Sequence, residues 1–544
     1  MRKQGVTRLF SVFFVLGALL PALPAHAEVH WDVPRNLAAS TDVEQLSGLR
    51  VVRWRGRFYL FMLARGEKRA VIRYFSTGDL DTFRGPRTAV EDIPVEPGFF
   101  PRFDVLAADR GLYLAWNGPD GALRLARSTD GSSWERRRDP LRPGELSFDP
   151  RLMGVDDRLL LFYHTESGGR RIDFFYTVLG DFGGAWSEPR QVARATAGSF
   201  FPDLLAGDRL WVAWQSRPLS EGEEPVFDIY LSSAADPAGP WSAPVNLTGP
   251  ARGDDMRPVL LRAGAGIALV WESNREGAWG VYYREFDARG NPLGAAVKVN
   301  GVPANARNPG PLEASGKLYI FYTDERDGTP RLYYALKEEA GFRELGPVPG
   351  GTPVRELQPL AAGGELHAAW RSDEGVGVSG PDRSVRQVEI LHAGEGYIGV
   401  RGLTLAWRKP EDPSGIAGYG YLFNRNPDDR PLLLNLEPEV TSVHLAPEQE
   451  GEHYVHLMVR DGAGNESDPV TVPFVVDLTP PPAPVVDQIQ ADQEGYHPGE
   501  PRLTWSPGSD DVAGYTYRLA RSPVELSEPV IKTRTPSASF SGVA

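Results

Sequence analysis

Short blocks of apolar residues alternate with polar ones along this chain, and one block keeps returning. In Leu112-Tyr-Leu-Ala-Trp116 an apolar run ends on an aromatic ring and a polar residue follows. The same form recurs at Leu159-Leu-Leu-Phe-Tyr163, Leu210-Trp-Val-Ala-Trp214, Ile267-Ala-Leu-Val-Trp271, Leu318-Tyr-Ile-Phe-Tyr322 and Leu366-His-Ala-Ala-Trp370. An earlier copy, Phe58-Tyr-Leu-Phe-Met62, has methionine in the aromatic slot. The closing positions are 54, 47, 51, 57, 51 and 48 residues apart. Runs this short, bounded by turn residues and rich in aromatics, predict buried strands rather than helices.

Each period holds three more such segments. One with a proline opens it, as in Phe148-Asp-Pro-Arg151, Phe201-Pro-Asp203 and Arg257-Pro258. A third segment carries alternating or aromatic residues, as in Val281-Tyr-Tyr283, and a polar fourth closes the period, as in Trp241-Ser-Ala-Pro-Val-Asn-Leu247. Four strands repeated near fifty residues predict β-propeller blades, and seven copies predict seven blades over residues 28–390. Trp31-Asp-Val-Pro-Arg-Asn-Leu37 matches the fourth-strand sequence at 241–247. It is therefore expected to complete the last blade beside Val376-Gly-Val-Ser379, with Val385-Arg-Gln-Val388 as the competing segment.

Beyond Val388 the pattern changes. Leu403-Thr-Leu-Ala-Trp407 precedes Ile416-Ala-Gly-Tyr-Gly-Tyr421, and Leu503-Thr-Trp505 precedes Val512-Ala-Gly-Tyr-Thr-Tyr517. The tryptophans lie 98 residues apart, so one module is repeated. A strand tryptophan followed by alternating tyrosines resembles bacterial fibronectin type III or Ig-like β-sandwiches. The expected modules are 391–478 and 479–544, joined through the proline-rich Asp477-Leu-Thr-Pro-Pro-Pro-Ala-Pro484, and the second reads as truncated. The fold class is all-β: a seven-bladed propeller followed by sandwich modules.

Residues 1–27 read as a signal peptide: Arg2 and Lys3, an apolar stretch of roughly a dozen residues, then Ala25-His26-Ala27. That stretch is too short to span a bilayer, which needs about twenty. The protein is expected to be exported, whether periplasmic, cell-surface or secreted, with no membrane span in this chain after cleavage. Net charge is −14, and −17 without the leader, from 55 basic and 72 acidic residues. Such a surplus repels phosphate backbones, so no nucleic-acid partner is expected. There is no cysteine, which excludes thiolate chemistry and cysteine-held metal. No cofactor or metal is expected; His453 and His456, three apart on a strand, point to opposite faces.

Ser128-Thr-Asp-Gly-Ser-Ser-Trp134 resembles the aspartate box of sialidase-like (BNR) propellers, with weaker echoes at Ser76-Thr-Gly-Asp79 and around Asp236. The resemblance covers roughly residues 40–390 and implies a structural hairpin away from the substrate face. Sialidases have six blades, several such boxes, an Arg-Ile-Pro signature, an arginine triad and a Tyr/Glu nucleophile pair. This chain has seven copies, one good box and no Arg-Ile-Pro.

Polar residues directly after the recurring aromatic are the candidate ligand-binding set: His164, Glu166, Arg217, Glu272, Arg275, Asp324, Arg326 and Arg371. The start of the next first strand shares their face, adding Arg102, Asp104, Asp149, Arg151, Asp203, Asp255 and Arg257. Two readings stand. Either these groups converge on a central funnel, or they bond neighbouring loops and blade edges. The functional expectation is an exported, non-catalytic recognition or scaffold protein whose funnel binds an extracytoplasmic glycan or protein ligand. One alternative is a sialidase-like glycoside hydrolase using Asp104, Asp149, Glu272 or Asp324, since paired carboxylates cleave glycosidic bonds. The other is the sensor region of a longer membrane receptor.

Overall fold

The computed structural model describes residues 29–539 except 38–44, 98, 100, 138, 141–145, 168–170, 181–183, 197, 218–225, 250–252, 303–304, 351–352, 374, 393–395, 400, 488–501, 511, 513 and 518–530. The signal-like leader lies outside the described residues. Among those described there is no α-helix, and no helix is long and apolar enough to cross a membrane. The chain divides into two units, residues 1–383 and 384–544.

The first unit holds seven four-stranded antiparallel sheets among its described residues. Their first strands are Gln45–Trp54, Phe103–Ala108, Ser147–Val155, Gly198–Ala206, Asp255–Ala263, Arg307–Ala314 and Glu356–Ala362. Each first strand packs on the next in chain order, and Glu356–Ala362 packs back on Gln45–Trp54, so the sheets form a closed ring. Every copy of the recurring aromatic-ended segment is the second strand of its sheet.

Burial explains why that segment is apolar throughout rather than alternating. A second strand lies between two neighbouring sheets, so both of its faces are covered; Leu112, Tyr113, Leu114 and Ala115 are all fully buried. The core is accordingly a ring of separate layers between sheets. Trp116 fills the layer between sheets 1 and 2, Tyr163 that between 2 and 3, and Trp214 that between 3 and 4. Trp271, Tyr322 and Trp370 do the same further round. Met62 fills the layer where sheet 7 meets sheet 1. Each fully buried side chain of this size is worth about 1.5–3 kcal/mol.

Closure follows the expected route. Strand Arg35–Leu37 is the fourth strand of sheet 7, with Arg35, Asn36 and Leu37 opposite Val378, Gly377 and Val376. Trp31 is buried beside it, edge-on to Phe321 and Tyr334. The competing segment, residues 385–388, forms no strand, and Val388 packs into the second unit's core.

The recurrent proline also finds its reason. In sheets 3 to 6 the first strand slips register at Asp149-Pro150, Phe201-Pro202, Arg257-Pro258 and Asn308-Pro309. The residue before each proline has φ between 51 and 53°. A proline has no N–H to give the ladder and belongs at a bulge. Sheet 1 makes the same slip with glycine, at Gly48.

The turn at Asp130 is held by its own side chains. Its Oδ1 accepts from the amides of Ser132 and Ser133, both at 2.7 Å, while Ser128 Oγ accepts from Gly131 N at 2.9 Å. Asp79 repeats the arrangement with Asp81, Thr82 and Thr77. Trp134 packs edge-on against Phe61 of the preceding sheet, and Trp241 does the same against Phe162. Amide bonds from Thr82 and Asp81 lower the Asp79 carboxyl to about 2. Such a depressed acid contributes its turn bonds fully above about pH 4 and loses them as pH falls towards 2. Asp130→Ala is expected to raise hydrogen exchange at Ser132 and Ser133 several-fold; unchanged exchange would show that the carboxylate does not hold the turn.

The second unit begins with two sheets. Glu389–His392, Leu403–Arg408 and Ser442–Leu445 form one; Tyr397–Ile398, Val470–Val476, Gly451–Asp461 and Ile416–Asn424 form the other. Trp407, Tyr419, Leu457 and Val459 share one buried cluster, with the Trp407 and Tyr419 rings 5.4 Å apart. Trp505 and Tyr515 repeat that pair at 5.2 Å. His456 is buried, bonded to Thr471 and Asn426, and His453 stacks on Phe423.

Candidate functional site

The bulges near the starts of the first strands shape the middle of the ring. There the seven first strands surround a cavity of about 760 Å³. Its wall combines prolines with charged groups: Arg50, Arg102, Arg151, Arg257, Arg355 and Arg371 against Asp104, Asp203 and Glu356. Six cations to three anions is the reverse of the chain's overall charge.

The three carboxylates are already engaged. Asp104 accepts from Arg50 Nε at 3.0 Å and from Leu152 N, on the next sheet, at 2.9 Å. Glu356 accepts from the amides of Gly48 and Leu49, at 3.1 and 2.9 Å, and from Arg371 Nε at 3.0 Å. Burial works against its charge, yet Arg371, Arg50 and the two amides outweigh it and hold the carboxyl below its ordinary range. Asp203 accepts from Leu260 N at 2.7 Å. Here burial wins over that bond and Arg151, and nearby Asp104 adds to it, pushing the Asp203 carboxyl up to about 6.

Arg102 is the most open of these inner cations and Arg257 follows Arg355, with the side chains of Arg102 and Arg257 50% and 38% exposed. Their guanidinium carbons lie 5.3 and 5.1 Å from the centre of the Phe201 ring. Phe201 has φ +51°, a region a bulky residue rarely adopts, and it lines the cavity. Arg102 Nε stands 3.3 Å from buried Asp149, and its terminal nitrogens have no hydrogen-bond partner among the described residues.

Of the residues singled out from sequence, Arg102, Asp104, Arg151, Asp203, Arg257 and Arg371 line this cavity, and Asp149 lies behind Arg102. Burial opposes the Asp149 charge, but Arg102 and Arg151 keep its carboxyl lowered. The others sit elsewhere. Glu272 is fully buried; it accepts from Arg307 Nη2 at 2.7 Å and from Asn308 N, the bulge amide of the next sheet, at 3.0 Å. Asp324 is paired with Arg326 at 2.7 Å, and Arg326 also grips Glu344. Arg275 holds buried Asp255 at 2.7 Å. His164 is fully buried between the rings of Phe148 and Phe174, and burial lowers its pKa to about 4, so it is neutral. Arg217 lies 4.0 Å from the centre of the Phe227 ring, and Glu166 is exposed. Most of the polar tips therefore bond their own or the neighbouring sheet, and of the two expected groups it is the residues at the starts of the first strands that converge.

Tyr322 and Glu344 do form a Tyr–Glu pair, at 2.6 Å. Burial, followed by the bond to Glu344, pushes the Tyr322 hydroxyl up rather than down, and neither residue lines the cavity.

No protein-family model matches the chain, and no curated protein does. Solved structures do resemble it. One is a polysaccharide lyase, an ulvan lyase of family PL25 bound to -[GlcA(1-4)Rha3S]-. It is 14% identical, with a TM-score of 0.46 over 65% of this chain and 95% of that one. The α-L-arabinanase of Penicillium chrysogenum complexed with arabinobiose is 12% identical, with a TM-score of 0.37 over 65% and 97%. The GH43 endo-arabinanase of Bacillus licheniformis is 17% identical, with a TM-score of 0.27 over 44% and 94%. At these values the likeness carries nothing about this chain's chemistry.

Proposed function

We propose that the ring is a seven-bladed, sialidase-like β-propeller of an exported recognition protein, followed by fibronectin III/Ig-like modules. Its central cavity binds an extracytoplasmic glycan without turning it over, and acidic sugars are favoured. The observation that carries this is the wall of the cavity, where all three carboxylates are spent on backbone amides or arginines while Arg102 keeps unused donors beside Phe201. A volume of about 760 Å³ lies within the range of small-ligand sites, about 300–1,000 Å³. A sugar's C–H face suits the Phe201 ring, and a carboxylate or sulfate suits the guanidinium fork.

The test is calorimetric titration with an oligogalacturonate and with its carboxyl-reduced counterpart. The acidic form is expected to bind and the reduced form to bind at least tenfold more weakly. Arg102→Gln should weaken the acidic ligand about tenfold, the loss of one charge-assisted bond. Affinity should also fall as pH rises from 5 to 7.5. Asp203 gains its charge in that window, facing Arg151 and Asp104, and a carboxylate there opposes an anionic ligand. Equal binding of both oligosaccharides would remove the preference for acid.

Hydrolysis is the second reading, favoured by one observation. Asp203, raised to about 6, could hold a proton beside Asp104, and a pair of carboxyls of which one keeps its proton can divide acid and base roles. A turnover screen on fluorogenic glycosides decides it: release of product that Asp203→Asn abolishes would establish the enzyme, and no turnover on any substrate would sink it.

A further inference from the structure

We infer that the ligand is a stretch of several sugars, running out of the central cavity between the seventh and first sheets, and not a small sugar. This rests on the glycan-binding reading above and adds a path. Beside the central cavity lies a second one of about 590 Å³, lined by Leu46, Arg65, Glu67, Arg371, Ser372 and Asp373. Arg371 belongs to the walls of both cavities. The two spaces therefore meet at one side chain.

Arg371 is shaped for a post at this doorway. Its Nε is tied to Glu356 at 3.0 Å, which fixes the stem, and its side chain is 15% exposed. Its terminal nitrogens have no hydrogen-bond partner among the described residues. Next to it, Arg355 of the central cavity pairs with Asp373 of the outer one at 3.0 Å. Both partners are about half exposed, and water screens and competes with an exposed pair of this kind, so it contributes little. The bar across the doorway therefore opens at little cost, leaving a guanidinium and a carboxylate as hydrogen-bonding groups for a passing chain. A monosaccharide in the centre would touch none of Leu46, Glu67 or Asp373, whereas a chain of several sugars would need them.

The experiment measures affinity against length, using oligogalacturonates of two, four and six units, with the wild type and with Glu67→Trp. Glu67 is exposed, between two strands of the first sheet, so the bulky replacement reaches the outer cavity without touching the core. The expected result is a gain of tenfold or more from two units to six, which Glu67→Trp removes while leaving affinity for the dimer unchanged. Binding that does not vary with length, or a length gain that survives Glu67→Trp, overturns the path but leaves the glycan reading in place. Absence of binding at every length overturns both.

Discussion

Glu272→Ala should destabilise the ring by about 1–3 kcal/mol, the usual cost of leaving a buried donor without its acceptor. Glu272 is fully enclosed, and its two oxygens serve Arg307 and the Asn308 amide, with Arg257 Nε 3.4 Å away. Alanine leaves two guanidinium groups facing each other and a bulge amide without an acceptor. Glu272→Gln keeps one oxygen acceptor for the bulge amide but removes the charge, so a smaller loss is expected. Urea unfolding of the three proteins checks this. A loss under about 1 kcal/mol for alanine, the ordinary value for an exposed pair, would mean that the pair does not join sheets 5 and 6.

The second large effect is at the closure. Trp31→Ala should cost about 3–5 kcal/mol, as large-to-small changes in a core do, because the indole is 4% exposed and wedged on Phe321 and Tyr334. The loss is expected to exceed that for an equally buried residue elsewhere, since the strand that Trp31 anchors, Arg35–Leu37, pairs through only three residues. Trp31→Phe should be milder: the indole nitrogen has no hydrogen-bond partner among the described residues, so only apolar area is given up. Hydrogen exchange at Val376–Ser379 reads the difference locally. Protection there that survives Trp31→Ala would mean that the ring closes without its amino-terminal strand.

The two effects mark what the sequence does and does not make legible. Period and burial are legible together, because a strand covered on both faces must be apolar at every position; hence the second strands could be read from residues such as 112–116 alone. The closing strand was readable from its likeness to residues 241–247. The site was readable only in part. Polarity after the aromatic is visible in a sequence, but not the bulge amide that absorbs it: Glu272 looks like a free carboxylate until Asn308 N appears 3.0 Å away. His164 shares a position with polar tips, yet Phe148 and Phe174 enclose it. Arg50, Arg355 and Glu356 escaped notice for the opposite reason. In sheet 1 the bulge falls at Gly48 without a proline to mark it, and Glu356 precedes Pro359 by three residues in a strand that has no bulge.

A crystal structure with an oligogalacturonate bound tests the central claim most directly. Sugar rings are predicted inside the circle of first strands, one of them over Phe201 with its carboxylate at Arg102. A sugar seated on the outer strands or on the second unit, with the central cavity holding only solvent, would contradict it.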